Sequence, residues 1–139
     1  LSYVHATNTT DKSALPQISP LELRTGLSYS TDNWSLGTLV RVVDKQSRYD
    51  LNKGNIVGKD LGPSSGFTIF SVNASWQATD SLLFTAGADN LFDKTYAEFV
   101  SRASGNGMGG GIPGFIQTDR VNEPGKTFWL KMQLTLGQY

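Results

Sequence analysis

The chain has 139 residues, with 12 Lys and Arg against 12 Asp and Glu, no cysteine and one histidine. Neutrality removes the basic surplus that phosphate binding requires, so no nucleic acid is expected as a partner; without cysteine, a disulfide framework or thiolate zinc site is excluded. Only 38% of residues are hydrophobic and no run approaches the roughly 18 apolar residues of a spanning helix, but a barrel strand that wets every second residue would look equally soluble by that measure.

Leu1-Ser2-Tyr3 opens without an initiator Met or a targeting segment, and residues 1–8 read as a strand whose inward face stays unassigned. An upstream portion is expected. From 21 to 29, Leu21, Leu23, Thr25, Leu27 and Tyr29 alternate with Glu22, Arg24, Gly26 and Ser28. That period of two predicts a strand with one apolar and one polar face. From 34 to 42, Trp34, Leu36, Thr38, Val40 and Val42 oppose Ser35, Gly37, Leu39 and Arg41. From 70 to 77, Phe70, Val72, Ala74 and Trp76 oppose Ser71, Asn73, Ser75 and Gln77. Phe84, Ala86 and Ala88 oppose Thr85, Gly87 and Asp89, and in the last strand Leu130, Met132, Leu134 and Leu136 oppose Trp129, Lys131, Gln133 and Thr135. Six strands result.

The connections alternate in length. Residues 31–33 and 78–81 are tight turns, whereas the stretches after Asn8, from about 50 to 66 and from about 97 to 122 are long. Outer-membrane barrels have short periplasmic turns and long extracellular loops; a Greek-key sandwich has no reason to keep that rhythm. Both tight turns fall on one side and the last strand runs towards it, which places the C-terminus in the periplasm. Tyr29, Trp34, Trp76 and Tyr139 then fall on one membrane edge as an aromatic girdle. Glu22, Arg24, Arg41, Asp89 and Lys131 share the polar phase and face the lumen. Pointing outward at bilayer depth, such charges would cost about 2–4 kcal/mol each. Gly26, Gly37 and Gly87 on that face leave room for something filling the barrel.

Asp89-Asn90-Leu91-Phe92-Asp93-Lys94-Thr95-Tyr96 resembles the NLFDKxY element near the end of TonB-dependent outer-membrane receptors, and Leu15-Pro16-Gln17-Ile18-Ser19-Pro20-Leu21 resembles the proline-bearing extracellular turn before a descending strand in the same family. The motif residues are Asn90, Leu91, Phe92, Asp93 and Tyr96. Tyr96-Ala97-Glu98, Ser101-Arg102, Arg120-Val121-Asn122-Glu123-Pro124-Gly125-Lys126 and Gly54-Asn55-Ile56-Val57-Gly58 are similar to the copper-receptor branch, although Phe99 stands where that branch implies a His. The resemblance implies an all-β fold: an antiparallel transmembrane β-barrel fragment, about six strands of a 22-stranded plugged barrel, spanning residues 1–139. It also implies outer-membrane lipid around it, uptake of a small ligand or metal ion with copper as the leading candidate, and energy delivered by the TonB complex through a region upstream of Leu1. A siderophore or other metal chelate is the alternative within the family.

Three residues have metal-ligating chemistry. Met132 alternates with Leu130 and Leu134 and is assigned to lipid. His5 has no second His or Met at ligand spacing, and Met108 stands alone beside Gly109-Gly110-Gly111. Glu98, Arg102, Asp119, Arg120 and Glu123 cluster around the last long loop, where they either steer a cation or form a solvated charged surface. No phosphate loop, Cys–His pair or cofactor motif is present, so no enzyme and no cofactor are expected. Outside the family, the competing readings are a soluble ligand-binding β-sandwich and a passive porin.

Overall fold

The computed structural model describes residues 1–55, 58–100 and 120–137. Its long strands are β1 (Glu22–Ser30), β2 (Trp34–Val43), β5 (Phe67–Thr79), β6 (Leu82–Asp89) and β7 (Thr127–Leu134), with a short antiparallel pair, β3 (Gly54–Asn55) and β4 (Gly58–Lys59), between β2 and β5. The long strands form one five-stranded sheet in the order β1-β2-β5-β6-β7. Leaving out the β3–β4 pair, every strand neighbours the next in the chain, which makes an up-and-down meander.

Residues 1–8 do not form the sixth strand. Ser2 exchanges both backbone bonds with Glu22, at 2.8 and 2.9 Å, in an isolated bridge. Thr7 then pairs with Ala14, and the Asn8 amide donates to the Ser13 carbonyl. The segment folds back on its own loop before a ladder can propagate. Strand β5 also starts three residues earlier than alternation predicts. Phe67 and Ile69 have the parity of the polar face, yet both are buried, so the binary pattern breaks at the start of that strand.

The chain divides into two compact units: residues 1–23, 43–67 and 95–123 form a loop-rich one, and residues 24–42, 68–94 and 124–139 contain most of the sheet. In the sheet unit the register matches like with like. Val72 faces Ala88, Ala74 faces Ala86 and Trp76 faces Phe84; across the next ladder Ala88 faces Phe128, Ala86 faces Leu130 and Phe84 faces Met132. The other parity pairs Asn73 with Gly87, Ser75 with Thr85, Thr85 with Lys131 and Asp89 with Thr127. Because a slip of one residue would send every side chain to the opposite face, this agreement fixes the parity of each strand.

Among the described residues, the buried apolar side chains are only Val43, Phe67, Ile69, Ala88 and Phe99. Leu23, Leu27, Tyr29, Trp34, Leu36, Trp76, Phe128, Leu130, Met132 and Leu134 are all exposed and all on the apolar parity. An apolar surface this continuous is the signature of a face meant for an apolar neighbour.

Candidate functional site

The sheet unit has two chemically distinct faces and a clasp at one end. On the apolar face, aromatic rings pair at the tight turns: Tyr29 with Trp34 at 5.4 Å between centroids, and Trp76 stacked on Phe84 at 6.0 Å. The first turn closes where the Thr31 amide donates to the Trp34 carbonyl at 2.8 Å. In the second, the Gln77 side-chain amide donates to the Thr79 carbonyl at 2.6 Å. Further along the same face Phe70 lies 5.7 Å from Phe92, and Phe128 is exposed nearby in register with Ala88. Phe70 and Trp76 are six residues apart on β5, about 20 Å along a strand, close to the roughly 25 Å height of an outer-membrane apolar band. The sequence placed Phe70 and Phe84 on the apolar face and Phe92 in the motif, but marked only Trp and Tyr next to turns as girdle residues, so the second aromatic group was not read as one. Tyr139 lies outside the described residues.

The polar face is closely packed. The glycines predicted to leave room inside are covered by neighbouring strands. The Asn73 side chain lies against Gly37, where an added Cβ would fall 2.8 Å from Asn73 Oδ1, and the Trp129 indole lies across Gly87 so closely that a Cβ there would clash with ring atoms. At Gly26 an added Cβ would come within 2.8 Å of the Thr38 carbonyl. Ser35 and Ser75 hydroxyls share a 2.6 Å hydrogen bond, and Trp129 Nε1 donates to Asp89 Oδ2 at 3.0 Å. Of the five predicted lumen charges, Asp89 thus holds an indole and Lys131 stands opposite Thr85. Arg24 and Arg41 belong to this unit too, while Glu22 belongs to the loop-rich one, where its backbone pairs with Ser2.

The motif residues Asn90 to Lys94 form the clasp. Asn90 and Asp93 have φ of 49° and 55°, the left-handed region that Asn and Asp tolerate best after glycine. Asn90 is 3% exposed. Its side-chain amide accepts from the Lys94 amide and donates to the Lys94 carbonyl, both at 2.8 Å, so it pairs with the chain as a strand would. The same nitrogen reaches the Pro124 carbonyl at 3.4 Å, and Asp93 Oδ1 accepts the Lys126 amide at 2.8 Å. The Leu91 amide donates to the Phe70 carbonyl, which leaves Phe92 exposed on the apolar face.

In the loop-rich unit, two side chains each tie several chain segments together. Asp60 is 1% exposed; one carboxylate oxygen accepts the Gln17 amide and the other the Asp50 amide, each at 2.9 Å. Arg120 stacks on the Phe99 ring at 5.2 Å and donates to the carbonyls of Phe99, Pro63 and Gly62. Burial lowers its pKa from the ordinary arginine value, with the Asp60 charge opposing. Arg120 is therefore a tether between chain segments and not a freely solvated charge. Phe99 is 2% exposed beneath it, so the position where a His was expected faces packed protein. Tyr96 packs on Phe67 at 4.4 Å and accepts the Glu123 amide through its carbonyl.

Two of the three metal-ligand candidates, His5 and Met132, fall among the described residues. His5 is exposed and borders a shallow cavity of about 100 Å³ together with Tyr3, Asp44, Lys45 and Arg48. Met132 is exposed on the apolar face opposite Phe84. Met108, Arg102 and Asp119 lie outside the described residues. Among the described residues, no three His, Asp or Glu side chains come close enough to hold a metal ion.

Comparison with known proteins points one way. The family model described as "TonB dependent receptor-like, beta-barrel" matches residues 1–91. The chain is 33% identical over 106 residues to the ferric enterobactin receptor of Pseudomonas aeruginosa, covering 74% of this chain and 13% of that receptor. It is 26% identical over 129 residues to the ferrienterobactin receptor of Escherichia coli, covering 90% and 17%. Among solved structures it is similar to the copper transporter OprC, with a TM-score of 0.80 and 45% identity over 92% of this chain and 19% of that one. The chain spans less than a fifth of the length of each of these proteins.

Proposed function

Since this chain belongs to the TonB-dependent receptor β-barrel family, we propose that it is wall and loop of an outer-membrane receptor that takes up copper with energy delivered through TonB. The observation that carries the reading is the 45% identity and 0.80 TM-score with a copper transporter, combined with a sheet whose apolar parity is exposed from strand to strand. The apolar face meets lipid, with Tyr29, Trp34 and Trp76 at one interface and Phe70, Phe92 and Phe128 at the other. The polar face, with Arg24, Arg41, Asp89 and Lys131, meets the interior. The tight turns at 31–33 and 78–81 are periplasmic, the segments 44–66 and 90–126 are extracellular, and the C-terminus is periplasmic. Among the described residues no group of three His, Asp or Glu forms around His5, so we assign copper selection to other parts of the receptor.

A ferric siderophore is the second reading, favoured by the two enterobactin receptors among the relatives. The two separate in cells carrying the full-length receptor. Radiolabelled copper accumulation should require both the receptor and TonB; copper entry unchanged by deleting either, with ferric enterobactin uptake lost, would replace the first reading by the second. Orientation is read with single cysteines and an impermeant thiol reagent on intact cells. Lys12→Cys should label, and Asp32→Cys and Asp80→Cys should not.

A further inference from the structure

The β6–β7 hairpin has a difficulty that the β5–β6 hairpin does not. In a tight hairpin the turn fixes which residues face each other, and the turn at 78–81 does so for β5 and β6. Residues 90–126 separate β6 from β7, and a connection of that length cannot set a register. Alternation of apolar and polar residues cannot set it either. It fixes parity, and a slip of two residues preserves parity.

We propose that the Asn90–Asp93 clasp and the contact between Gly87 and Trp129 are a register lock for this hairpin. Gly87 faces Trp129 directly, and the indole occupies the space of the missing Cβ. The neighbouring same-face positions on β6 are Thr85 and Asp89, each with a side chain in that space. Only one register puts the indole over a residue without one. Asp89, two residues along the same face, accepts the indole N–H in that register. The clasp reads position independently. Asp93 Oδ1 takes the Lys126 amide and sits where a side chain on Gly125 would begin, 2.5 Å from its would-be Cβ. A slip of two moves Lys126 by about 7 Å along the strand, which breaks that bond and the Asn90–Pro124 contact together. This gives the motif a job: its Asn and Asp are the residues that tolerate positive φ and also reach the incoming strand.

The test uses the full-length receptor in a background free of other cysteines, assembled in the outer membrane. Thr85→Cys with Lys131→Cys reports the native register. Thr85→Cys with Gln133→Cys and Leu83→Cys with Lys131→Cys report slips of two in either direction. Disulfide formation in the native pair should dominate in the parent. Gly87→Val should cut the native cross-link or the amount of assembled receptor, and adding Trp129→Ala should restore it, because the valine then occupies the space the indole has left. Asp93→Ala should raise a slipped cross-link at the expense of the native one. Wild-type native cross-linking in Gly87→Val, or its failure to recover with Trp129→Ala, would overturn the glycine–indole half. An unchanged cross-link pattern in Asp93→Ala would overturn the clasp half.

Discussion

In β7 every side chain is exposed, and the strand is held by its backbone ladder to β6 and by the parity of its apolar residues. Around Asp60 the situation is reversed. One carboxylate with 1% exposure gathers two backbone amides from distant parts of the chain, and regular pairing amounts to isolated bridges and the two-residue strands β3 and β4. The sheet distributes its stability over many equivalent residues and depends on what covers its apolar face. The loop-rich unit concentrates stability in a few polar side chains that satisfy backbone groups. Substitutions should therefore be judged by face in the first region and by hydrogen-bond count in the second.

The largest effect should come from breaking the face rule. Leu130→Arg puts a charge at mid-strand on the side we assign to lipid, at a cost of about 2–4 kcal/mol. Gln133→Arg, on the opposite parity, should stay within about 0.5 kcal/mol as an uncrowded polar position. Heat-modifiable electrophoretic mobility of the full-length receptor in outer-membrane fractions reads the difference. Equal assembly of the two variants would remove the distinction between faces.

Next is Asp60→Ala, which strips the acceptors from the Gln17 and Asp50 amides. Both donors are only partly buried, so each left unsatisfied costs about 1 kcal/mol, the low end of the range for a buried group. Gln17 also holds a φ of 61°, a conformation that costs a non-glycine residue about 1–2 kcal/mol and that the carboxylate helps to fix. Hydrogen exchange should accelerate at residues 15–20 and 50–60 while β6 and β7 keep their protection. Asp60→Asn, which retains an acceptor for one amide, should fall between. Loss of protection across the sheet in Asp60→Ala would mean that the two regions are not stabilised separately. Arg120→Ala should be milder, about 1.5 kcal/mol for a charged donor partly reached by water, with exchange rising near Gly62, Pro63 and Phe99. Arg120→Lys keeps the charge but loses the planar fork that serves several carbonyls, so it should resemble alanine more than the parent.

The same contrast explains what could be read in the sequence. Strands β1, β2, β6 and β7 follow from alternation to within a few residues, because a face repeated every second residue is a signal summed over many positions. The start of β5 was not legible because Phe67 and Ile69 are apolar on the polar parity, and a core contact there outweighs the pattern. Residues 1–8 carry Leu1, Tyr3 and Val4, which favour a strand, but Ser2 finds only Glu22 as a partner. The clasp was legible as a motif and not as a mechanism: nothing in Asn90 or Asp93 announces that their partners are Lys94, Pro124 and Lys126. Asp60 left no signal, since a single buried acid has no period; Phe99 stood out only as a departure from the expected His, and Arg120 only as one charge in a cluster.

The smallest expected effect tests whether the hydrogen-bond rule extends to the exposed rim of the loop-rich unit. Asp11 is fully exposed, and its Oδ1 accepts the Ser13 amide at 3.0 Å and the Ser13 hydroxyl at 2.8 Å. The Ser13 amide first, then its hydroxyl, hold the Asp11 carboxyl below its ordinary value of 3.8. A carboxylate with a depressed folded-state pKa stabilises the fold above the unfolded pKa and loses that contribution as pH falls through the folded one. The turn at 11–13 should thus be intact from neutral pH down to about 4 and open only below it. In detergent-solubilised receptor, the Ser13 amide proton shift followed against pH should have its midpoint under 3.8. Asp11→Asn should flatten that titration without moving the protection of the Gln17 and Asp50 amides. A midpoint at or above 3.8 would show that an exposed carboxylate in this unit gains nothing from its bonds, and would confine the rule to buried groups such as Asp60.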